Sequence, residues 1–448
     1  MIALRLVACG PGAGAGAGAG AILDEESVSI ELSETIVTLP TLSVATHVDA
    51  AVTLEYGTDN HYGRVASLTG DGTLAHELQL FGLASDTTWH FRLVAEADGA
   101  REDGADHAFS TGALPAHVAS LDVLTAGEPG PPWIAYSYFR PEDLGSGASA
   151  VYVMDGAGDI VWYTGRYDGM VPQVSLVPDG TGVLFSVEGG PDAPDTTVIE
   201  QLRWDGSSAA TFATPNGHHA FTPMPDLSVA WVEAVQKEID GVLVVGDAIS
   251  ETARDGTTRQ VWNAFDHLVV EEGPGWDIPA SLEGKNWTHA NGIAYDPVSD
   301  DWLLSLLNVQ VMLRIDRATG DIVWTIGDPG ESDFTFADGG YEPAHAPEFV
   351  DGGILVFENA NPDTRACRYD LDAEAGTATE VFAVHNPDGG HATIMGDLDL
   401  LPDGGVLTAW GDLGEVMVSD TAGVPTLRFD TEAGTIIGQA EVVERFGP

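Results

Sequence analysis

The sequence predicts an all-β protein, a small β-sandwich followed by a six-bladed β-propeller. Three observations carry this. Short stretches alternate apolar and polar residues with the period of two that marks half-buried strands. Glycine (54) and proline (25) punctuate the chain throughout, which favours many short strands over long helices. From about residue 116 the chain repeats itself at a spacing of roughly 50 residues.

Residues 1–23 form the first segment. Leu6-Val7-Ala8-Cys9 resembles a bacterial lipobox, in which the cysteine receives the lipid. Gly and Ala then alternate from Gly12 to Ala21, a low-complexity tether between an anchor and a folded body. The apolar region before Cys9 is shorter than the ~7–15 residues of a signal peptide. Either the true start lies elsewhere or the box is chance. The expectation is an extracytoplasmic lipoprotein, periplasmic or at the cell surface, that meets a membrane only through Cys9. No stretch approaches the ~20 apolar residues of a transmembrane helix. With Cys9 lipidated, Cys367 stands alone and no disulfide forms within the chain.

Residues 24–115 read as the sandwich. Val28-Ser29-Ile30-Glu31-Leu32 and Ala51-Val52-Thr53-Leu54-Glu55-Tyr56 alternate as half-buried strands do. GLASDTTWHFRLVAEADG resembles the fibronectin type III signature, with Trp89 where that family has its corner tyrosine. An indole has a donor but no phenolic hydroxyl, which puts the corner hydrogen bond in question. The resemblance implies a spacer or docking module.

Residues 116–448 read as the propeller. Strand, Asp/Gly turn and strand recur in YVMDGAGDIVWYTG, LRWDGSSAATFAT, ETARDGTTRQVWNAF, LRIDRATGDIVWTIG, RYDLDAEAGTATEVFAV and VMVSDTAGVPTLRFD. The second strands are marked by Trp162, Phe212, Trp262, Trp324, Phe382 and Leu427, at intervals of 50, 50, 62, 58 and 45. Further hairpins such as VSLVPDGTGVLFSV and LDLLPDGGVLTAWG lie between them. Two hairpins per repeat make a four-stranded blade, and blades of that period close radially.

Charge narrows the function classes. The chain has 70 acidic residues against 17 Lys and Arg, a formal charge of −53, and its only lysines are Lys237 and Lys285. No basic patch exists, so nucleic acid is excluded as a partner. The propeller supplies the positive clue. Inner strands start at the central channel, so equivalent positions form a ring. His219 lies five residues before Met224, and His345 five before Val350. His289 opens a similar strand, and His218 adjoins the first. A lone histidine at a strand entry is usually a packing residue; three at one repeat position suggest a site. Separate imidazoles suit a metal or covalent catalysis by one ring with acid/base help from another. No HExxH or similar spacing supports a metal, and no cofactor motif is present.

WTHANGIAYDPVSDDWLLSLLNVQVMLRIDRATGDIVWTIGD and PAHAPEFVDGGILVFENANPDTRACRYDLD resemble bacterial arylsulfotransferases of the 3′-phosphoadenylyl-sulfate-independent kind. The likeness spans roughly residues 130–448. It implies transfer of a sulfuryl group from a phenolic sulfate to a phenol through a sulfohistidine, without a cofactor. By resemblance His345 is the sulfated histidine, His289 an acid/base or sulfate-binding group, and His219 or His218 the first channel histidine. Asn291 continues the W-T-H-A-N motif, and Arg365 matches an arginine that either binds substrate or pairs with a carboxylate. The family places a sulfate-gripping arginine eighteen residues after the W-T-H histidine, where this chain has Leu307. Asn308 alongside supplies only a neutral donor, and Ala344 replaces the glutamine that often precedes the sulfated histidine. The alternative is therefore an impaired propeller that binds a ligand or acts as a scaffold. Neither reading fixes the oligomeric state.

Overall fold

A computed structural model of the chain describes residues 2–4, 21–68, 74–118, 122–126, 133–143, 149–189, 196–280, 282–327, 332–336, 344–360 and 362–446. Cys9 lies outside the described residues. The chain is all-β, as its alternation predicts. It divides into two compact units, Met1–Val118 with Asp159–Thr164, and Ala119–Gly158 with Gly165–Phe446.

Among its described residues, the first unit has two antiparallel sheets. One runs in the order Ile2–Leu4, Leu23–Leu32, Pro40–Thr46, Ala75–Gln79. The other runs Arg64–Ser67, Ala51–Gly57, Thr88–Ala97, Ala100–Asp103, with His107–Ser110 also on Thr88–Ala97. Alternate residues of each strand point inward, so Leu42 and Val44 share one core with Val52, Leu54, Phe91 and Leu93. Trp89 is buried in that core and its indole N–H has no hydrogen-bond partner. The corner bond that a tyrosine hydroxyl makes is therefore not reproduced.

Among the described residues, six sheets build the second unit, antiparallel apart from the short added strands Lys285–Asn286 and Thr335–Phe336. Strand β1 (Val174–Leu176) starts the first, followed outward by Gly182–Val187, Val198–Arg203 and Ser208–Ala213. Strand β2 (Gly217–Pro223) starts the next, with Val229–Ile239, β3 (Val242–Thr252) and Thr258–Asn263. Then come β4 (Ala290–Asp296), β5 (Asp301–Leu306), Val311–Asp316 and Ile322–Gly327. The fourth holds β6 (Ala344–Val350), β7 (Gly353–Glu358), β8 (Arg365–Asp372) and Thr377–His385. The fifth begins with β9 (Asp397–Leu400) and ends with Pro425–Asp430, against which Asp122–Ala126 pairs. In the sixth, β10 (Ala440–Val442) pairs with Trp133–Tyr138, which pairs with Ala150–Asp155.

The inner strands neighbour one another in a closed cycle: β1, β2, β4, β6, β9, β10 and back to β1. This is a propeller-like arrangement. Apolar cores lie between successive sheets, one of them joining Trp262 and Ile249 of the second sheet to Trp302 and Leu304 of the third. Middle strands are covered on both faces, which is why β5 is buried along its whole length and reads as an apolar run. The C-terminal strand β10 closes the cycle against an N-terminal one, so ring integrity depends on both ends of the unit. No helix of the described residues is long and apolar enough to cross a membrane.

Candidate active site

Three adjacent inner strands break register where they meet the ring. In β2, Gly217 pairs with Glu233 and pairing resumes only at Phe221 with Trp231. In β4 the shift falls between Ala290 and Gly292, and in β6 between His345 and Glu348. At or beside each bulge a non-glycine residue has a positive φ: 59° at His219, 50° at His289 and 43° at Ala346. Such conformations cost about 1–3 kcal/mol each and persist where the surroundings enforce them. Bulges re-aim side chains; here the breaks in β2 and β4 accompany an edge-to-face contact of the His219 and His289 rings. They also shift the equivalence read from the sequence by one residue. Ala346 occupies the strained position of His219 and His289, so His345 stands where β2 has His218.

Close packing brings the strands together. Gly292 lies so near β6 that a Cβ there would meet Pro347 Cδ at 2.2 Å. Gly246 admits Trp287, whose ring would lie 3.0 Å from a Cβ at that position. Lys285–Asn286 adds to β3 in parallel, and the Trp287 amide donates to Val245 O at 2.9 Å. This delivers Thr288 and His289 to Asp247 on β3.

Asp247, only 3% exposed in its side chain, organises one half of the site. Its Oδ2 accepts from Thr288 Oγ1 at 2.5 Å and from the Ala290 amide at 2.7 Å. Its Oδ1 lies 2.8 Å from His218 Nε2. His218 Nδ1 in turn lies 2.8 Å from His219 Nδ1. The His219 and His289 rings are edge-to-face with centroids 4.7 Å apart. Asn286 Nδ2 donates to His289 Nδ1 at 3.0 Å, which leaves the His289 proton on Nε2. Glu188 accepts from the His219 backbone amide.

His345 has its own support. Asn359 Nδ2 donates to the carbonyls of Ala392 (3.0 Å) and Met395 (2.9 Å), so its Oδ1 faces His345 Nδ1 at 2.6 Å. His345 therefore donates through Nδ1 and keeps a lone pair on Nε2.

Burial depresses three of the four imidazoles. His345 falls to about 4, partly offset by the Asn359 bond and the Asp412 charge. His289 also falls to about 4, through burial and then the charge of His218. His219 is pushed well below the ordinary value by burial and by the neighbouring His289, His218 and His345. His218 goes the other way: burial opposes its charge, but the Asp247 hydrogen bond and charge, with Glu188, outweigh it. Burial raises Glu188 to about 7, while the His218 charge and three donated hydrogen bonds, outweighing burial, hold Asp247 below the ordinary carboxylate range.

The other expected residues divide. Asn291 is 4% exposed and sits in the β4 bulge, with neither its side-chain oxygen nor its nitrogen hydrogen-bonded. Asn308 braces backbone instead: its Nδ2 donates to Asn286 O at 3.1 Å. Leu307 opens a short 3-10 turn, its amide donating to His289 O at 3.0 Å. Arg365 pairs with Glu358 and Glu380 and reaches Tyr369 Oη at 3.0 Å. Its partner Glu358 precedes Asn359, so this network fixes the end of β7 from which Asn359 reaches His345. Among the described residues, no group of three or more His, Cys, Asp or Glu is arranged to hold a metal ion.

The family model for arylsulfotransferases (ASST) matches residues 144–431. The chain belongs to the arylsulfotransferase family. No curated protein matches it. Among solved structures, a protein of unknown function from Bacteroides caccae is 14% identical, with 69% of this chain and 98% of that chain covered and a TM-score of 0.43. TolB from Acinetobacter baumannii is 12% identical over 79% of this chain and 78% of its own, with a TM-score of 0.43.

In this arylsulfotransferase-family chain the arrangement provides one imidazole of fixed tautomer at His345, two imidazoles kept from protonation by burial at His219 and His289, and one at His218 whose charged form Asp247 and Glu188 favour. Asp247, Asn286, Asn359 and Glu188 are the members that motif reading misses. Asp247 alone leaves a trace, a carboxylate inside the apolar run VLVVGDAIS.

Proposed function

We propose that the protein transfers a sulfuryl group from a phenolic sulfate to a phenol, with His345 as the nucleophile. The observation that carries this is the Asn359 contact, which holds the His345 proton on Nδ1 and frees Nε2. In the first half-reaction Nε2 bonds to sulfur, the sulfur–oxygen bond to the aryl group breaks, and the phenolate leaves with its electron pair. In the second, an acceptor phenol gives up its proton, its oxygen bonds to sulfur, and the nitrogen–sulfur bond breaks. The unpaired amide of Asn291 supports a ligand in the ring, because a buried amide without partners costs about 1–3 kcal/mol unless something binds it. His289, with its proton on Nε2, is suited to donate to a sulfuryl oxygen.

The test is release of 4-nitrophenol from 4-nitrophenyl sulfate with a phenol acceptor. Turnover in the wild type, its loss in His345→Ala, and an acid-labile sulfuryl adduct on His345 support the proposal. No release above the His345→Ala control overturns it. Leu307, without charge or donor, favours a second reading, a ligand-binding propeller that has lost turnover. That reading expects anion binding without release, and gain of release in Leu307→Arg.

We further propose that the first unit is a fibronectin type III-like spacer and that the protein is an extracytoplasmic lipoprotein held through Cys9. Membrane association of the full chain that disappears in Cys9→Ala tests the anchor.

A further inference from the structure

We propose that Asp247, His218 and His219 form a proton relay that serves both halves of the transfer, with His219 Nε2 facing the phenolic oxygen. The proposal rests on the transfer reading above and names the groups that move its protons.

Asp247 accepts at Oδ2 from two donors, so its remaining oxygen receives the His218 Nε2 proton. The two Nδ1 atoms of His218 and His219, 2.8 Å apart, share a single proton between them. When that proton is on His218, this ring is an imidazolium, His219 Nδ1 accepts, and His219 Nε2 carries a hydrogen. When it is on His219, His218 is neutral and His219 Nε2 is a lone pair. Moving that proton across the contact as the Nε2 proton departs to the phenolic oxygen converts His219 Nε2 from a donor to an acceptor, and the pair as a whole gives up one proton. His219 is half-buried beside His289, and His218 stands behind it against Asp247.

The balance closes in both directions. As Nε2 of His345 bonds to sulfur and the aryl–oxygen bond breaks, the phenolate takes the His219 Nε2 proton. His218 passes its Nδ1 proton to His219 Nδ1 and becomes neutral, while the sulfated His345 ring acquires the positive charge. The acceptor phenol reverses each transfer, so one pair of rings is acid in the first half and base in the second.

His289 is not equivalent. Its Nδ1 accepts from Asn286, so losing Nε2–H leaves an imidazolate with no group behind it to restore the proton. The groups facing His218 are Asp247, Glu188 and His219, with the His289 ring 6.3 Å away. Two carboxylates favour its charged form, whereas His219, His289 and His345 are all held neutral.

Two measurements test the relay. In protein labelled with 15N-histidine, pH titration should show His219 passing from Nε2–H to Nδ1–H as His218 loses its charge. A His219 tautomer that stays fixed while His218 titrates overturns the proposal, whether or not the protein turns over. The second compares phenyl sulfate, whose leaving phenolate needs a proton, with 4-nitrophenyl sulfate, whose phenolate is stabilised by the nitro group. His218→Gln, which leaves the Thr288 and Ala290 contacts of Asp247 in place, and Asp247→Asn should each lose about 10²-fold or more in kcat/KM on phenyl sulfate and under about tenfold on the nitro ester. Equal losses on both esters overturn it. A wild type that cleaves neither ester defeats the transfer reading, and the titration still decides the relay.

Discussion

Asn359 Oδ1 lies 2.6 Å from His345 Nδ1, and the amide cannot turn over without losing two hydrogen bonds to the Ala392 and Met395 carbonyls. This side chain thus selects which nitrogen of His345 keeps a lone pair, the one the proposed transfer uses.

Replacing Asn359 by Leu removes that selection. A neutral imidazole free to exchange tautomers presents Nε2 only part of the time, and the two carbonyls lose their donor. The expected result is a kcat on 4-nitrophenyl sulfate lowered by about 10²-fold, comparable to loss of a general acid/base partner, with KM changed little. The 15N shifts of His345 should show a mixture of tautomers. A pure Nδ1–H tautomer in the variant removes Asn359 from this role.

Asn291 offers the opposite trade. Its oxygen and nitrogen are buried without partners, so the free protein carries their desolvation at about 1–3 kcal/mol per group. Asn291→Leu, close to it in shape, should raise the thermal midpoint by a few degrees. The same change should abolish binding of inorganic sulfate or an aryl sulfate, read by calorimetry. A variant that binds as the wild type does shows that this amide does not meet the ligand.

The strands and their repeat were legible because alternation and Asp/Gly turns are local signals. The placement of His219, His289 and His345 at the starts of inner strands was legible because they lie within recognisable motifs. Asp247 was not, since it reaches Thr288 only after Lys285–Asn286 adds to β3 in parallel, about forty residues along the chain. The one-residue offset that places His345 with His218 was hidden for another reason. It arises from bulges in β2, β4 and β6, and bulges change register without altering the spacing of the turn residues that served as rulers. Arg365 illustrates the converse: the sequence allowed a substrate contact or an ion pair, and the structure holds it on Glu358 and Glu380.

Ionic strength should affect capture and leave chemistry alone. With a formal charge of −53, the protein repels an anionic ester over a range set by the Debye length, which shrinks from about 30 Å at 0.01 M to about 3 Å at 1 M salt. Raising sodium chloride across that range should increase kcat/KM for aryl sulfates by about tenfold, with kcat unchanged. A kcat/KM that falls with salt would instead reveal a local positive field that overcomes the net charge.

The opposed shifts of His345 and His218 set the pH dependence of both stability and rate. An unfolded histidine binds a proton below about 6.5, whereas burial delays this in folded His345 to about 4. Between these values the unfolded state holds more protons, so stability present above 6.5 is lost as pH falls. The loss is about 1.4 kcal/mol per unit, or about 3 kcal/mol by pH 4. Urea unfolding at pH 7 and pH 4.5 should show this decline, and His345→Gln should reduce it. The same shift keeps His345 neutral in mild acid, so, with His345 as the proposed nucleophile, the acid limb of kcat/KM should lie near pH 4. His218, raised above its ordinary value by Asp247 and Glu188, is charged in the first half of the proposed relay and should produce an alkaline limb above 6.5. His218→Gln should abolish that limb and leave the acid one in place. An acid limb near 6.5 would mean that His345 is not held neutral by burial, and an alkaline limb that survives His218→Gln would assign it to another group.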